Sequence, residues 1–486
     1  MNKENNNNQA NGFTQYNFTS DIVIGLEIHI ELNTKSKMFC SCKRSGDKDE
    51  KPNTRTCPVC LGHPGSKPVL NKEALNKGIK IGLALDCEIA PELIFSRKSY
   101  FYPDLAKNYQ ISQFELPLGS NGKVELEDNE IGITRIHLEE DPASLVHPNG
   151  MTSSGYVLID YNRSGDPLCE IVTEPDLKSP AQAREFMKKL ITILNYIGVF
   201  DINSCIIKAD ANISIKESNY TRAEIKNITG FKEIERALNY ELARQKKEVI
   251  EDNKTLVQET RGWDAQKGIT YTMRVKETSE DYGYIIDPDL VAIDITEKKI
   301  DEIKQSMPEL PKQKLEKFIN VHKIKLEDAK IISQELKLAE LFENIAKEID
   351  PLLAAKWLRR ELLRVMNYNS ISFDELKIDE KHLIELLTLV EKNKITDKTA
   401  KTILEKLIEE PFDIKKYVKE NDLETVQDTN EIEKFVKESM DENPQAVDDI
   451  KSGNTKSINF IVGQVMRKSK GKANPKEVNE IIKKLI

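Results

Sequence analysis

Three ionisable side chains occur at every second position near the start of the chain. Glu27, His29 and Glu31 alternate with apolar residues between Ile24 and Leu32, so a β-strand would collect the three on one face. Carboxylates on one face repel each other unless a cation or a basic group lies over them. A divalent metal held by carboxylate oxygen and imidazole nitrogen would satisfy this face. The alternative is the water-exposed outer face of an ordinary strand.

Four cysteines follow in a short stretch that is able to wrap around one metal ion. They form two close pairs, Cys40 with Cys42 and Cys57 with Cys60. Such paired spacing is typical of tetrahedral zinc sites. Four thiolates leave no coordination position for water, so the predicted zinc is structural and not catalytic. The alternative is a loop in which the four thiols persist without metal.

Further candidate ligands occur in residues 120–290, where strand patterns dominate. The acids that would join the metal site are Glu139, Glu140 and Asp210. The bases on the same polar faces or strand ends are Arg163, Arg222, Arg261, Arg274 and Lys276. Carboxylates suit Mg²⁺ and basic groups suit phosphate, so the set predicts a concave polar sheet that binds Mg²⁺ and a triphosphate. Because the chain has no Walker motif, any phosphates would be held by metal and by Arg or Lys. For each strand singly, a solvated face is the alternative.

A loop of interleaved basic and aromatic residues runs from Arg97 to Asp104 and contains Tyr100, Phe101 and Tyr102. This mixture suits a nucleotide base or ribose, by stacking and by charge. An aromatic loop that packs on the protein core is equally consistent with the pattern.

The length and composition indicate a globular protein of several domains. The chain has 486 residues, of which 31% are charged and 39% are hydrophobic, and about three domains are expected. No apolar run reaches the roughly 18 residues that a membrane span needs, so we expect no membrane partner. The seven cysteines are unevenly spaced, which favours a reducing cytoplasm over a secreted disulfide scaffold. Cys87, Cys169 and Cys205 are isolated and are expected to be small core residues.

Changes of pattern along the chain predict an α+β fold. Residues 1–20 contain an Asn run and no apolar stretch, so we expect a disordered leader and no signal peptide. An antiparallel-sheet domain is predicted over 21–292, an all-α helical domain over 293–408 and a small helical tail over 409–486. Helices within the sheet domain are predicted over 71–85, 180–197 and about 230–250.

The end of the chain changes the sign of its charge. Residues 421–450 hold ten acids and two lysines, whereas residues 451–486 hold nine bases and two acids. A basic end on a chain of net charge −9 suits a module that holds a polyanion while the rest of the chain does other work.

Several sequence blocks together resemble one known family, in order over about residues 21–486. The blocks are Gly25-Leu26-Glu27-Ile28-His29, Cys57-Pro58-Val59-Cys60-Leu61-Gly62, Tyr100-Phe101-Tyr102-Pro103-Asp104-Leu105, His137-Leu138-Glu139-Glu140-Asp141, Asp160-Tyr161-Asn162-Arg163-Ser164-Gly165, Asp210-Ala211-Asn212 and Gly463-Gln464-Val465-Met466. They resemble the B subunits of the aspartyl/glutamyl-tRNA amidotransferases. An archaeal paralogue specific for glutamyl-tRNA carries an extra domain before its helical part, and Trp357 follows Leu290 by only 67 positions here, which favours the B-subunit family.

The resemblance implies a cradle-shaped α+β catalytic domain, a helical domain and a small tail that contacts tRNA. It implies a ligase that uses ATP to phosphorylate the side chain of glutamate on tRNA(Gln) or of aspartate on tRNA(Asn). Ammonia from a separate glutaminase, the A subunit, then displaces the phosphate, and a small C subunit joins the complex. Nothing in the chain resembles a Ser-Lys amidase signature, which agrees with ammonia being made elsewhere.

The resemblance also implies roles for particular residues. Those expected to hold Mg²⁺ and to be catalytic are Glu27, His29, Glu139, Glu140 and Asp210. Those expected to neutralise phosphate are Arg163, Arg222, Arg274 and Lys276, and those expected to bind zinc are Cys40, Cys42, Cys57 and Cys60. The chain departs from the family pattern at Pro142-Ala143-Ser144, where Gly-Lys is expected, at Gly283, where Arg is expected, and at His63, where an apolar residue is usual.

Two other functions agree with the same residues. One is a zinc-stapled RNA-binding scaffold without ATP chemistry of its own, whose acidic face is only solvated. The other is a free-standing ligase similar to glutamine synthetase, which would act without tRNA.

Overall fold

The structure is a computed structural model, and the residues that it describes are 21–47, 49–150, 154–202, 204–274, 283–425, 429–452, 456–469 and 471–485. The predicted leader, residues 1–20, lies outside the described residues. The chain divides into two compact units, with the border between Leu310 and Pro311. The first unit contains the sheets and the second contains helices.

The strands of the first unit are β1 Ile22–Glu31, β2 Glu88–Ile89, β3 Glu92–Leu93, β4 Ser96–Ser99, β5 Tyr109–Ser112, β6 Gly119–Glu125, β7 Glu130–Glu140, β8 Ser144–Val146, β9 Leu158–Asp160, β10 Pro167–Thr173, β11 Ile207–Ile215, β12 Ala223–Thr229, β13 Glu259–Asp264, β14 Ile269–Arg274, β15 Gly283–Ile286 and β16 Ile293–Asp294. Its helices are α1 Lys72–Ala84, α2 Pro180–Tyr196, α3 Phe231–Lys246 and α4 Glu297–Gln305.

Among the described residues, nine strands form one large sheet in the order β14-β13-β12-β11-β1-β10-β7-β6-β2. Its neighbouring strands are antiparallel except for the parallel pair of β12 and β13. Smaller sheets are β15-β4-β5, β16-β3 and β8-β9. The predicted α+β class with a mainly antiparallel sheet is confirmed.

One face of the large sheet is apolar and is covered by helices. Leu26 and Ile28 of β1 are buried in a core that also contains Phe186 and Leu190 of α2. On α1, an added Cβ at Gly78 would lie 2.7 Å from a methyl carbon of Leu118, so only a residue without a side chain allows this close approach. Because side chains alternate along a strand, burial of this face leaves the intervening polar residues on the other face.

The predicted helix starts and the predicted core cysteines are confirmed. The side chain of Asn71 accepts hydrogen bonds from the backbone at the start of α1, and Ser179 does the same before Pro180 of α2, as expected for N-cap residues. Helix α3 continues as a π-helical segment, Lys247–Glu251. The cysteines expected in the core are buried, namely Cys87, Cys169 and Cys205.

The second unit consists of short amphipathic helices. They are α5 Pro311–Asn320, α6 Leu326–Ile332, α7 Leu336–Ile345, α8 Pro351–Trp357, α9 Leu363–Asn369, α10 Glu380–Glu391, α11 Asp397–Glu409, α12 Ile414–Glu420, α13 Thr429–Asp441, α14 Pro444–Lys451, α15 Lys456–Lys468 and α16 Pro475–Leu485. Buried residues of α13, α15 and α16 form an apolar cluster of their own. The domain borders expected at 292/293 and at 408/409 remain predictions. None of the helices in the described residues combines the length and the apolar character that crossing a lipid bilayer requires.

Candidate functional site

A row of ionisable residues crosses the polar face of the large sheet. In the register of the strands, His29 of β1 lies opposite Glu170 of β10, and Glu170 lies opposite His137 of β7. On the other side of β1, Lys208 of β11 lies opposite His29. Directly paired residues hold their Cβ atoms about 5 Å apart, so the sheet brings together groups that are far apart in the sequence.

The side chains of this row form a compact cluster with Glu139. Nε2 of His29 lies 3.4 Å from Glu170 Oε2 and 3.7 Å from Glu139 Oε1. Nε2 of His137 lies 3.0 Å from the same oxygen of Glu170 and 3.6 Å from Glu139 Oε2. The hydroxyl of Ser112 donates a hydrogen bond to Glu139, at 3.2 Å. Two carboxylates and two imidazoles thus share one largely buried position.

The electrostatics of the cluster show how these charges compensate one another. Burial lowers the pKa of His29, but its hydrogen bond to Glu170 and the negative charges outweigh burial and raise the pKa to about 9. Burial likewise opposes protonation of His137, whose pKa the charge of Glu170 raises to about 10. Against burial, the imidazoles lower the pKa of Glu139 and lower that of Glu170 further. Without a metal, protons on the imidazoles therefore neutralise the carboxylates.

A divalent cation would neutralise the same carboxylates. His29, Glu139 and Glu170 each offer one ligand atom, and these atoms all lie within 4.8 Å of one another. Carboxylate oxygens are the ligands that Mg²⁺ prefers. His137 carries a buried Nδ1 atom without a hydrogen-bond partner, so the cluster is not fully satisfied by protein groups alone. The donor set fits a divalent metal.

The cluster opens onto a cavity of about 210 Å³, which we call the polar pocket. The pocket is lined by His29, Glu139, Asp141, Glu170, Lys208 and Asp210, among others. Lys98 of β4 also lines it. Acids and lysines therefore face one shared pocket, as a metal-bound anion would require.

Glu27 and Asp210 form a second acidic position beside this cluster. They are directly paired across β1 and β11. Lys226 of β12 lies 3.0 Å from Asp210 Oδ2, and Asn212 donates a hydrogen bond to Glu27 at 3.2 Å. Burial and the charge of Glu170 raise the pKa of Glu27. The structure thus places the predicted residues Glu27, His29, Glu139 and Asp210 on one face of neighbouring strands.

Glu140 lies apart from the other predicted metal ligands, on the opposite face of β7. Its carboxylate accepts hydrogen bonds from the side chain of Lys107 and, at 3.0 Å, from the backbone N–H of Ile111. Successive side chains of a strand point to opposite faces, so Glu139 and Glu140 cannot meet one metal ion as a pair. Glu140 was expected to join the cluster of Glu139, and this expectation is wrong because the two side chains lie on opposite faces of β7.

Two of the four predicted phosphate ligands, Arg163 and Arg222, have side chains that the structure describes. Arg163 lies 3.3 Å from Asp141 and donates hydrogen bonds to the carbonyl oxygens of Pro142 and Ala143. Arg222 is exposed and immediately precedes Ala223, which pairs with Ile213 of β11. Lys208, the residue of β11 opposite His29, lies five positions before Ile213. At a strand rise of about 3.3 Å per residue, the distance between them along β11 is roughly 16 Å.

The structure describes less of the other two predicted phosphate ligands, Arg274 and Lys276. The backbone of Arg274 pairs with Thr260, and Lys276 lies outside the described residues. Arg261 was expected on the polar face, and that expectation is wrong. Its guanidinium lies on the helix side, 2.9 Å from Glu259 and 3.4 Å from the fully buried Glu241 of α3, because β13 pairs with β12 in a register that places Arg261 beside the buried Ile225.

The four predicted zinc ligands come together in the loop between β1 and α1. The sulfur atoms of Cys40, Cys42, Cys57 and Cys60 all lie within 4.8 Å of one another. The Cys57 and Cys60 sulfurs are 3.8 Å apart, which is about the edge length of a tetrahedron with Zn–S bonds of 2.3 Å. Hydrogen bonding from Cys40, which outweighs burial, lowers the pKa of Cys60 to about 5. The site is compatible with a structural zinc ion.

The aromatic loop is exposed and does not pack in the core. The side chain of Phe101 is 88% exposed and that of Tyr102 is 52% exposed. Arg97, at the start of the loop, pairs with Asp287 at 2.9 Å and with Asp289 at 2.9 Å. The core-packing alternative is therefore wrong for these two rings, and base stacking remains a prediction.

Sequence reasoning missed Glu170, whose carboxylate lies nearer to both imidazoles than that of Glu139 does. The signal was present, because Glu170 is the only charged residue of β10, Pro167–Thr173. It alternates with the buried Cys169 and Ile171, so its side chain had to lie on the polar face. A single acid in an apolar run marks a buried charge that needs a partner.

Comparison with protein families matches two long segments of the chain. Residues 22–301 match the family described as the GatB/GatE catalytic domain, and residues 340–486 match the family described as the GatB domain. The first segment contains the polar pocket and the four-cysteine site. The second contains the helices of the second unit from within α7 onward.

Similarity to individual proteins extends over nearly the whole chain. The chain is 45% identical over 477 residues to the B subunit of the aspartyl/glutamyl-tRNA(Asn/Gln) amidotransferase of Thermodesulfovibrio yellowstonii, which covers 96% of this chain and 99% of that protein. It is 44% identical over 476 residues to the protein of the same name from Thermoanaerobacter pseudethanolicus, which covers 95% of this chain and 98% of that protein. The protein of that name from Brevibacillus brevis is 42% identical over 477 residues, which covers 96% of this chain and 98% of that protein.

Proposed function

Because this chain belongs to the family of aspartyl/glutamyl-tRNA(Asn/Gln) amidotransferase B subunits, we propose that it forms side-chain amides on misacylated tRNA. The proposed substrates are ATP and either tRNA(Gln) that carries glutamate or tRNA(Asn) that carries aspartate. Ammonia would come from a partner glutaminase, the A subunit, with a small C subunit in the same complex. The proposed activity is that of an ATP-dependent ligase in the cytoplasm.

The observation that carries this proposal is the polar pocket. His29, Glu139 and Glu170 offer ligand atoms within 4.8 Å of one another, and the lysines of the same pocket are Lys98 and Lys208. A solvated scaffold surface has no need of carboxylates buried against one another, since burying charge is costly without a partner. A site for a metal-bound polyphosphate uses both the acids and the lysines.

In the proposed reaction, a carboxylate oxygen of the aminoacyl side chain attacks the γ-phosphorus of ATP. The bond between that phosphorus and the bridging oxygen breaks, which releases ADP and leaves an acyl phosphate. Ammonia then adds to the carbonyl carbon, phosphate leaves, and the nitrogen loses a proton to give the amide.

We assign the acids and the lysines of the pocket different roles in this reaction. Glu27, His29, Glu139, Glu170 and Asp210 are the proposed holders of Mg²⁺. When bound, Mg²⁺ would neutralise and orient phosphate oxygens. Lys98 and Lys208 would attract the polyphosphate and orient it toward the acceptor carboxylate. For Arg163, Arg222, Arg274 and Lys276 a role in phosphate binding remains a prediction.

Other parts of the chain take supporting roles in this proposal. The four cysteines would hold a structural zinc ion, and the basic helical tail would contact the tRNA. The proposed domain division is a catalytic sheet domain over 21–292, a helical domain over 293–408 and the tRNA-binding tail over 409–486. None of these roles requires a membrane.

The test is amide formation by the chain co-expressed with a glutaminase partner. Misacylated tRNA would be incubated with glutamine, with or without ATP and Mg²⁺, and the attached amino acid would be identified. We expect glutaminyl- or asparaginyl-tRNA only when ATP and Mg²⁺ are present. ATP-independent tRNA binding without amide formation would favour the zinc-stapled scaffold, and amidation of free glutamate would favour a ligase that needs no tRNA.

A further inference from the structure

A fully buried lysine connects the four-cysteine site with the rim of the polar pocket. Lys37 has no exposed surface. Its ammonium nitrogen lies 2.7 Å from the carbonyl oxygen of Ser164, 3.4 Å from that of Tyr161 and 4.0 Å from the sulfur of Cys60. A buried ammonium is costly unless nearby groups compensate its charge. Besides these two carbonyl dipoles, the charge of Lys37 acts on the buried carboxyl of Asp166 and on the thiol of Cys60.

The cysteine site supplies that compensation once it is loaded with metal. Zn²⁺ bound by four thiolates carries two excess negative charges. At 4.0 Å from Cys60, Lys37 is close enough to offset one of them in a water-poor environment. The loaded site and the lysine therefore stabilise each other.

The loop that holds the cysteines also forms hydrogen bonds with the turn that Lys37 contacts. We call residues 37–47 and 49–62 the cysteine loop and residues 159–166 the Arg163 turn. The bonds between them run from Tyr161 N to Asn53 Oδ1 (2.7 Å), from Arg55 N to Asn162 Oδ1 (2.7 Å), from Asn162 Nδ2 to Lys51 O (2.8 Å) and from Met38 N to Gly165 O (2.8 Å). The conformation of the turn thus depends on the loop on several sides.

The Arg163 turn in turn positions a residue of the polar pocket. Gly165 N donates to Asp141 O at 2.8 Å, and Asp141 N donates to Asp166 O at 2.8 Å. Arg163 lies 3.3 Å from the Asp141 carboxylate, which lines the pocket. A displacement of the turn would therefore move Asp141 relative to the metal-binding acids.

We propose that Lys37 is a positioning residue, which couples the metal-loaded cysteine loop to the Arg163 turn and so fixes Asp141 at the rim of the polar pocket. This inference rests on the proposal that the four cysteines bind zinc. The coupling runs from zinc to Cys60 and Lys37, from Lys37 to Ser164 and Tyr161, and from the turn to Asp141. It assigns the zinc site an influence on the proposed ATP site without any direct contact between the two.

The first test compares metal retention in variants of the full chain. Lys37→Met removes the charge and the donors, and Lys37→Gln keeps a donor but removes the charge. Lys43→Met, on an exposed residue of the same loop, is the matched control. We expect a chelator to remove zinc about 10- to 100-fold faster from both Lys37 variants, as for other groups that support metal ligands, and at the wild-type rate from Lys43→Met. Equal release rates in wild type and Lys37→Gln would overturn the proposal.

The second test uses the wild-type chain and so does not depend on the folding of a variant. Zinc is removed with a chelator, and hydrogen exchange is measured for peptides that cover 159–166 and, as a reference, for α2. We expect exchange in 159–166 to accelerate by at least about 10-fold while α2 is unchanged. Unchanged exchange in 159–166 would overturn the coupling. A wild-type chain that carries no zinc and binds no Co²⁺ with thiolate charge-transfer bands would instead contradict the zinc proposal itself.

Discussion

Glu170 and His29 face each other across β1 and β10, and Glu170 Oε2 lies 3.4 Å from His29 Nε2. The same oxygen lies 3.0 Å from Nε2 of His137. One carboxylate oxygen therefore compensates two imidazoles in the absence of metal. Since a metal ion and these protons neutralise the same carboxylates, binding of the metal must displace protons, which makes the site sensitive to both charge and pH.

Replacing Glu170 by Gln is expected to weaken divalent metal binding. The substitution keeps the shape of the side chain but removes one of the anionic ligands, and we expect the dissociation constant for Mg²⁺ or Mn²⁺ to rise by at least about 100-fold. Isothermal titration calorimetry of the metal measures this. Glu174→Gln, at an exposed acid just beyond β10, is the matched control and should bind as wild type. Unchanged affinity in Glu170→Gln would remove Glu170 from the metal site.

The stability of the metal-free protein is expected to fall as the pH rises above neutrality. The pKa of His29 is raised to about 9 and that of His137 to about 10, against about 6.5 in an unfolded chain. A raised pKa stabilises the fold fully below about pH 6.5, and this contribution is lost as the pH rises through 9 and 10. The slope is at most about 1.4 kcal/mol per pH unit for each imidazole.

Urea unfolding between pH 6 and 9.5 measures this loss. Saturating Mg²⁺ should flatten the profile, because the bound metal replaces the protons. His63→Gln, at an exposed histidine, should keep the wild-type slope, whereas His29→Gln should reduce it. A metal-free profile that is flat from pH 6.5 to 9 would show that the imidazoles are neutral in the folded protein.

Glu139 and Glu140 are neighbours in sequence but are expected to respond differently to the same substitution. Glu139→Gln removes an acid of the polar pocket, so ATP-dependent amide formation should fall by at least about 100-fold. Glu140→Gln should leave Mg²⁺ affinity within about twofold. It should instead lower the free energy of unfolding by about 1–3 kcal/mol, because it leaves the ammonium of Lys107 without its anion. Equal loss of Mg²⁺ affinity in both variants would contradict the strand geometry.

The cysteine site is expected to lose its metal when one ligand is removed. Mass spectrometry should find stoichiometric zinc in the wild-type chain and none in Cys60→Ala, and the substitution should lower the unfolding midpoint by at least roughly 5 °C. Cys205→Ala is the matched control, because Cys205 is buried but lies outside the four-sulfur group. Zinc retained at full stoichiometry in Cys60→Ala would show that the metal is bound elsewhere.

The features that follow from periodicity were predictable from the sequence. Alternation alone placed Glu27 and His29 on one face of β1. The two close cysteine pairs predicted one site that contains all four sulfur atoms, including those of Cys40 and Cys60. Both depend on local geometry, which a sequence pattern records directly. The caps at Asn71 and Ser179 are local in the same sense.

The features that depend on register or on partners from elsewhere were not predictable in this way. Arg261 follows the alternation of its strand, but the pairing of β13 with β12 places it beside Ile225 on the helix side, near Glu241 of α3. Glu139 and Glu140 read as a pair in the sequence, although the pleat of β7 separates them. Glu170 acquires its role only when β10 pairs with β1 and β7, and a single sequence does not state which strands are neighbours.

The basic tail is best tested by substitution, because deletion would damage the fold. Ile461 and Val465 of α15 and Ile482 of α16 are buried together with Ile432 and Val436 of α13, so removal of residues 451–486 would expose the apolar face of α13. Two of the tail lysines are already engaged, since Lys468 lies 2.7 Å from Glu442 and Lys472 pairs with Asp422. The exposed bases are the better candidates for contact with a polyanion.

Replacing four exposed bases by Gln is expected to weaken binding of tRNA and to reduce its salt dependence. The residues are Arg467, Lys476, Lys483 and Lys484. Each lost phosphate contact removes about 0.7–0.9 from the slope of log K against log salt concentration, so the slope should become shallower by up to about 3. Filter binding of misacylated tRNA between 50 and 200 mM salt, values chosen for the range in which such slopes are steep, measures the change. A control with four exposed lysines of the helical unit replaced by Gln, at 325, 347, 356 and 377, removes the same number of charges elsewhere. If the control flattens the slope as much as the tail variant does, the effect is one of net charge, and the tail has no particular role in holding the tRNA.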